Sequence, residues 1–237
     1  EKTHEVPILG KKAVDYVKAH HKNSVQKYAN IAIFLPEKSP VSVFMAGSPG
    51  AGKTETSKEI LEDVEKHGVK ILRIDPDEYR DVFEGYTGSN AWIFQEAVTL
   101  LVNKIHDFAL KKQQSFLLDG TFSNFKKAKE NIERSLSRKR TVRIFYVYQR
   151  PELAWEFVKA RENTEGRRIE KSTFIEQYFA ASEVVNAIKA EFKQKIQIDL
   201  LLKNNDNSTR TYEGNIDNHD SYLLRDYTRK NIEKKFV

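Results

Sequence analysis

"VSVFMAGSPGAGKTETSK", residues 41–58, decides the fold. An apolar, β-branched run ends in a glycine-rich turn, and an amphipathic segment follows it. Within it "GSPGAGKT" fits G-x-x-x-x-G-K-[ST] with Gly47, Gly52, Lys53 and Thr54. The glycines let the backbone bend, so that N–H groups of Gly47, Ser48, Gly50, Ala51 and Gly52 and their neighbours surround phosphate oxygens, with Pro49, which has no N–H, lending only its shape. A helix opening at Lys53, Thr54 and Glu55 adds the positive end of its dipole. Lys53 neutralises the outer phosphates, and the Thr54 hydroxyl is placed for Mg²⁺.

Three further apolar runs resemble the first: "VKILRID" (69–75), "SFLLDGT" (115–121) and "TVRIFYVY" (141–148). Each precedes a helix-like segment, and near-continuous apolar character reads as strands buried on both faces. Strand–helix alternation predicts an α/β fold in three layers, a mostly parallel sheet with helices on both faces. Residues 91–112 keep the helical period through Phe94, Val98, Leu101, Ile105 and Phe108. Residues 10–31 read as a basic amphipathic helix or helix pair packing through Val14, Val17, Val25 and Tyr28. "KIQIDLLLKNNDNSTRTYEG" reads as strand, Asn/Asp turn and strand, and residues 219–236 as a closing helix. The expected organisation is one P-loop domain over 1–237, with a helical N-terminal extension (1–40), a core (41–195) and a C-terminal hairpin and helix (196–237).

The chain has 237 residues, 39% of them hydrophobic, which suffices for one buried core. No stretch is long and apolar enough to span a membrane, and the N-terminus "EKTHEVPILGKK" lacks the order of a signal peptide. Without cysteine there is no disulfide framework, thiolate metal site or Cys nucleophile, which fits a cytoplasmic location. The net charge of +6 comes from 40 basic and 34 acidic residues that are interspersed, as on a solvated surface. The densest basic run, "SLSRKRTVR" (135–143), has no interleaved aromatics for base stacking, so a nucleic-acid partner is not expected.

A phosphate loop alone does not separate switch, hydrolase and kinase. No Asn-Lys-x-Asp base-reading motif is present, and the third strand ends in Asp119-Gly120-Thr121 without a water-activating Glu. "RIDPDEYR" places Asp75 and Asp77 at the carboxyl end of the second strand, the edge where doubly wound sheets bind ligands. A carboxylate there accepts a proton from an attacking hydroxyl. The same run matches a capping box, with Asp75 as N-cap, Pro76 at N1 and Glu78 at N3. Both uses are compatible, Asp75 capping and Asp77 facing a substrate. Asp119 stands where a carboxylate holds Mg²⁺ directly or through water, and the Thr121 hydroxyl is placed for substrate or phosphate. In "KARENTEGRRIEKST" a helix carrying Arg161 breaks at a glycine and Arg167 and Arg168 follow, the composition of a lid over the transferring phosphate.

Together "GSPGAGKTE", "RIDPDEYR", "QEA", "LLDGTF" and "RENTEGRR", spanning about residues 40–175, resemble the zeta toxin family of bacterial small-molecule kinases. Its members phosphorylate the 3″-hydroxyl of UDP-N-acetylglucosamine and poison cell-wall precursor supply. The resemblance implies ATP and Mg²⁺ as cofactors, Asp77 as catalytic base and Lys53 as phosphate-binding lysine. It further implies Glu96 and Thr121 as substrate contacts, and Arg161 and Arg167 at the ATP phosphates, with Arg168 the neighbouring choice. Asp119 stands where some members have Glu. A toxin of this type also implies restraint, by an antitoxin protein or by an inhibitory segment such as the N-terminal helix. Two other readings compete: a kinase for nucleosides or nucleic-acid 5′ ends, and a nucleotide-gated binding protein without phosphotransfer.

Overall fold

The computed structural model describes residues 2–120, 122–166, 168–223 and 227–236, with side chains from residue 8 onward except Glu165. The chain runs α1 (Lys2–Tyr28), β1 (Val41–Ala46), α2 (Lys53–Lys66), β2 (Leu72–Ile74), α3 (Gln95–Lys111) and β3 (Phe116–Leu118). It continues with α4 (Phe125–Leu136), β4 (Thr141–Tyr148), α5 (Pro151–Glu165), α6 (Lys171–Phe192), β5 (Gln197–Lys203), β6 (Thr209–Glu213) and α7 (Arg229–Lys235). The sheet order is β2-β3-β1-β4-β5-β6. The first five strands are parallel, and β6 pairs antiparallel with β5. The chain leaves β1 to build β2 and β3 on one side, then crosses to β4 on the other. Loops at the carboxyl ends diverge around β1 and open a crevice there.

Strand alternation sorts the core. Phe44, Ala46, Ile144, Tyr146, Ile198 and Leu200 face the larger layer, with buried residues of α1, α3, α4 and α6. Val43, Met45, Leu117, Phe145 and Val147 face the other side, where Ile60 and Leu61 of α2 cover them. Buried on both faces, these strands need no polar alternation, which is why they read as continuous apolar runs.

The N-terminal helix is core rather than appendage. Val17 is 1% exposed, Val14 and Val25 are buried, and the Tyr28 ring lies 4.6 Å from that of Tyr79. The segment behind it is held by Gln114 Nε2, which donates to the carbonyls of Ala29 (3.0 Å) and Phe34 (2.8 Å). Among the described residues, none of α1 reaches the wall of the cavity described below.

Three expected elements differ in extent. The 91–112 helix begins with a 3-10 turn, Ala91–Phe94, before α3 proper. The predicted capping box at 75–78 caps no α-helix; a turn and a 3-10 segment, Arg80–Val82, form instead. Asp75 does accept from the Asp77 N–H at 2.9 Å, but the Glu78 carboxylate pairs with Arg73 rather than reaching back. The expected 219–236 helix spans only Arg229–Lys235, because Thr228 and Asn231 form a reciprocal capping box that starts it there. The basic run 135–143 is dispersed by the fold. Arg140 is buried and donates to Ser42 Oγ (2.7 Å) and to the Gln114 carbonyl (2.6 Å), while Arg143 pairs with Asp199 on β5.

Candidate active site

A cavity of about 580 Å³ opens above the carboxyl ends of the strands. The phosphate loop forms its floor, Asp75, Asp77 and Gln95 one wall, and α5 with Arg161 the other. The loop has the geometry its glycines permit. Gly50, at φ 72°, passes so close to α5 that a Cβ would sit 2.1 Å from the Ala154 carbonyl oxygen. Gly52, at φ 89°, lies under the Asn207 carboxamide, 2.7 Å from where its Cβ would be. The turn between β5 and β6 therefore reaches the phosphate loop, and Asn207 lines the cavity. Gln149 pins that turn by donating to the Asn204 carbonyl (2.6 Å) and to Asn207 Oδ1 (3.2 Å).

Lys53 is the first residue of α2. Its Nζ donates to the carbonyls of Gly47 (3.0 Å) and Ser48 (2.7 Å), so the ammonium is already held over the loop. Its pKa is lowered to about 8, chiefly by burial and also by Arg161; Asp119, Asp77 and Glu55 oppose the shift. Thr54, the next residue, and Glu55 line the same cavity.

Beneath Asp75 and Asp119 sits a residue that no motif announced. Arg73, on β2, donates from one Nη to Asp75 Oδ2 and Asp119 Oδ2, each at 2.7 Å. Its Nε donates to Ser57 Oγ at 3.1 Å, and that hydroxyl donates to Asp119 Oδ2 at 3.0 Å. The guanidinium ties α2, β2 and β3 together under the crevice. Burial pushes the Asp75 carboxyl up to about 6 even with Arg73 beside it, and the Asp119 and Asp77 charges add to the rise. The sequence signal for Arg73 was faint: a charged residue inside an otherwise apolar strand.

The expected residues divide as follows. Lys53, Thr54, Glu55, Asp75, Asp77, Asp119 and Arg161 share one cavity with Pro49, Gly50 and Gly52. Glu96 is exposed and is not on its wall; the preceding Gln95 is, and Arg80 donates to its Oε1 at 3.0 Å. Arg168 stands at the surface, 3.2 Å from Glu170, and does not line the cavity. Thr121 and Arg167 lie outside the described residues. α5 ends at Glu165 with Gly166 (φ 70°) as its cap, so the helix carrying Arg161 breaks at the expected glycine.

A strand–glycine loop–helix facing carboxylates on two neighbouring strand ends, roofed by an arginine-bearing helix, defines a P-loop phosphotransferase. The zeta toxin model matches residues 25–217, and the chain belongs to the zeta toxin family. It is accordingly a kinase of toxin type that uses ATP. No curated protein matches it significantly. Among solved structures, a chain of the PezAT chromosomal toxin–antitoxin system of Streptococcus pneumoniae shares 14% identity over 94% of this chain and 95% of that one, TM-score 0.66. The AvrRxo1-ORF1:-ORF2 complex matches at 17% identity over 85% and 70%, TM-score 0.65. The same pair solved with ATP matches at 15% over 90% and 70%, TM-score 0.61. At these identities the likeness is one of fold. No helix among the described residues is long and apolar enough to cross a membrane.

The Lys53 shift has a measurable consequence. ATP phosphates favour the charged ammonium, so binding raises its pKa and draws in a proton wherever the free lysine is neutral. Affinity is expected to stay constant with pH below the free-protein pKa of about 8 and to fall above it. At pH 9 the Kd for ATP is expected to be about tenfold weaker than at pH 7. Calorimetry at pH 9 in two buffers of different ionisation enthalpy reads the proton uptake; equal heats in both would contradict it.

Proposed function

We propose that the chain transfers the γ-phosphate of ATP to a hydroxyl of a UDP-amino sugar, the best match being the 3″-hydroxyl of UDP-N-acetylglucosamine. The observation that supports this reading is the convergence of Lys53, Asp77 and Arg161 on one cavity. The Gly-rich loop and Lys53 hold the β- and γ-phosphates, which orients the γ-phosphorus toward the β2 side, where Asp77 stands. The acceptor oxygen bonds to phosphorus as the bridging oxygen leaves with ADP, and the hydroxyl proton passes to the Asp77 carboxylate. Because the transition state is loose, Asp77 serves chiefly to aim the hydroxyl. Arg161 counters charge on the transferring group, with Arg167 as the second arginine of this reading.

Mg²⁺ carried with ATP supplies charge neutralisation between the phosphates. Among the described residues no group of three or more metal-binding side chains gathers. The Thr54 hydroxyl and Asp119, whose Oδ2 already accepts from Arg73 and Ser57, suit an ion that takes most of its oxygens from phosphate and water. The toxin–antitoxin assemblies among the fold's relatives favour an antitoxin protein as the restraint, and the burial of α1 in the core fits that better than an inhibitory N-terminal helix.

Phosphorus NMR of the protein with ATP, Mg²⁺ and UDP-N-acetylglucosamine tests the proposal. A new sugar phosphomonoester resonance is expected. ATP consumption only with a 5′-hydroxyl oligonucleotide or nucleosides would replace this acceptor by a nucleic one; tight binding without any transfer would leave a nucleotide-gated binding protein.

A further inference from the structure

We infer that Arg80 is the positioning residue of the acceptor side, locking Asp77 and Gln95 into one rigid unit. The inference rests on the reading of Asp77 as the group that meets the acceptor hydroxyl. Arg80 opens the 3-10 segment behind the β2 turn and is 5% exposed. Its Nε donates to Asp77 Oδ1 (3.3 Å), one Nη to the Ala91 carbonyl (2.9 Å) and the other to Gln95 Oε1 (3.0 Å). Three bonds in three directions fix the plane of a guanidinium, which a single ammonium would not do. Asp77 and Gln95 both line the cavity, and Arg80 stands behind them rather than in it.

A core ion pair and an orienting group leave different marks. Arg73 holds two carboxylates as buried as itself, side chains 9% exposed for Arg73, 9% for Asp75 and 6% for Asp119, and its third partner, the exposed Glu78, does not line the cavity. That arrangement serves the floor of the crevice. The Arg80 side chain is 7% exposed while its partner Asp77 is 40% exposed. A fixed, buried cation thus backs a carboxylate that faces the cavity, and its anchor is the backbone carbonyl of Ala91, which neither titrates nor swings. Gln95 gains from the same fork: with Oε1 accepting from Arg80, its Nε2 donor is the end left for the acceptor molecule, apart from a long 3.4 Å contact to Thr99 Oγ1. The wall therefore carries the Asp77 carboxylate and the Gln95 amide N–H side by side. That pairing suits a polyhydroxylated or N-acylated ring and disfavours an acceptor bearing a carboxylate, which the Asp77 charge repels.

The test uses Arg80→Met and Arg80→Lys, each with Asp77 and with Asp77→Asn. First, the ¹³C carboxyl resonance of Asp77, assigned by its loss in Asp77→Asn, is titrated with no acceptor present. Asp75 on the same turn, Lys53 on α2, Asp119 after β3 and Arg161 on α5 line the same cavity and remain in every variant, so a change reports Arg80. Arg80→Met is expected to move the midpoint upward by about one pH unit, and Arg80→Lys by less. The Gln95 side-chain amide signals are expected to shift in both, because neither replacement keeps the fork. An unmoved midpoint and unmoved Gln95 signals in folded protein overturn the inference. If Arg80→Met does not fold, the same two signals in Arg80→Lys decide it. Second, with UDP-N-acetylglucosamine as probe, kcat in Arg80→Met is expected to drop at least about tenfold while the Kd for ATP stays within about twofold. In the Asp77→Asn background the same change is expected to add no further loss; full additivity of the two losses counts against the inference. Should Asp77→Asn itself transfer at the wild-type rate, the base assignment fails, and the titration still decides whether Arg80 holds the carboxylate.

Discussion

Asp77→Asn is expected to lower phosphoryl transfer by roughly 10²–10⁴-fold, the usual yield of a positioned proton acceptor. The carboxamide keeps the size of the side chain and a polar atom near Arg80, so the turn is retained, but it takes no proton from the attacking hydroxyl. ATP affinity should change little, because phosphate binding belongs to the loop and Lys53. Single-turnover transfer from labelled ATP, with the Kd for ATP measured alongside, reads the two separately. Transfer at the wild-type rate would remove Asp77 from the chemistry. A parallel loss of ATP binding would instead mean that the turn had collapsed.

Lys53→Ala is expected to cost both binding and rate, by about 10²–10³-fold in kcat/KM for ATP. In the structure the ammonium spans the carbonyls of Gly47 and Ser48, so its removal also loosens the loop's own shape. Lys53→Arg should not restore activity. The space between loop and cavity fits a compact point charge, and a planar fork presents its donors elsewhere. Activity in Lys53→Arg near that of wild type would show that charge alone suffices there. The pH response separates the two effects, since the fall in ATP affinity above pH 8 belongs to Lys53 and should vanish in Lys53→Arg, which stays charged.

Much of the catalytic floor was legible because its signals are local. The phosphate loop needs particular residues at fixed spacing, and its strand and helix flank it within 18 residues of sequence. Asp75, Asp77 and Asp119 follow apolar runs directly, and the sheet places strand ends side by side, so they converge. The glycine after Glu165 marked the end of α5. Residues that hold the site from behind were hidden. Arg73 and Arg80 look like ordinary cations in sequence, and only the packing of β2 beside β3, and of the 3-10 turn against α3, turns them inward. The likeness to zeta toxins pointed to Glu96, one position from Gln95, the residue on the wall at the start of α3.

The sequence by itself determined the parallel α/β architecture and the phosphate loop, because hydrophobic period and glycine spacing act over short range. Only the tertiary structure decided three other things. It chose the surface that the expected packing residues of α1 meet, setting Tyr28 against Tyr79, and it folded the β5–β6 turn over Gly52 so that Asn207 lines the cavity. It also placed one arginine beneath Asp75 and Asp119 and another behind Asp77. Such contacts join residues far apart along the chain or on different elements. Their partners are set by burial, since a guanidinium removed from water must find acceptors wherever the packing leaves them.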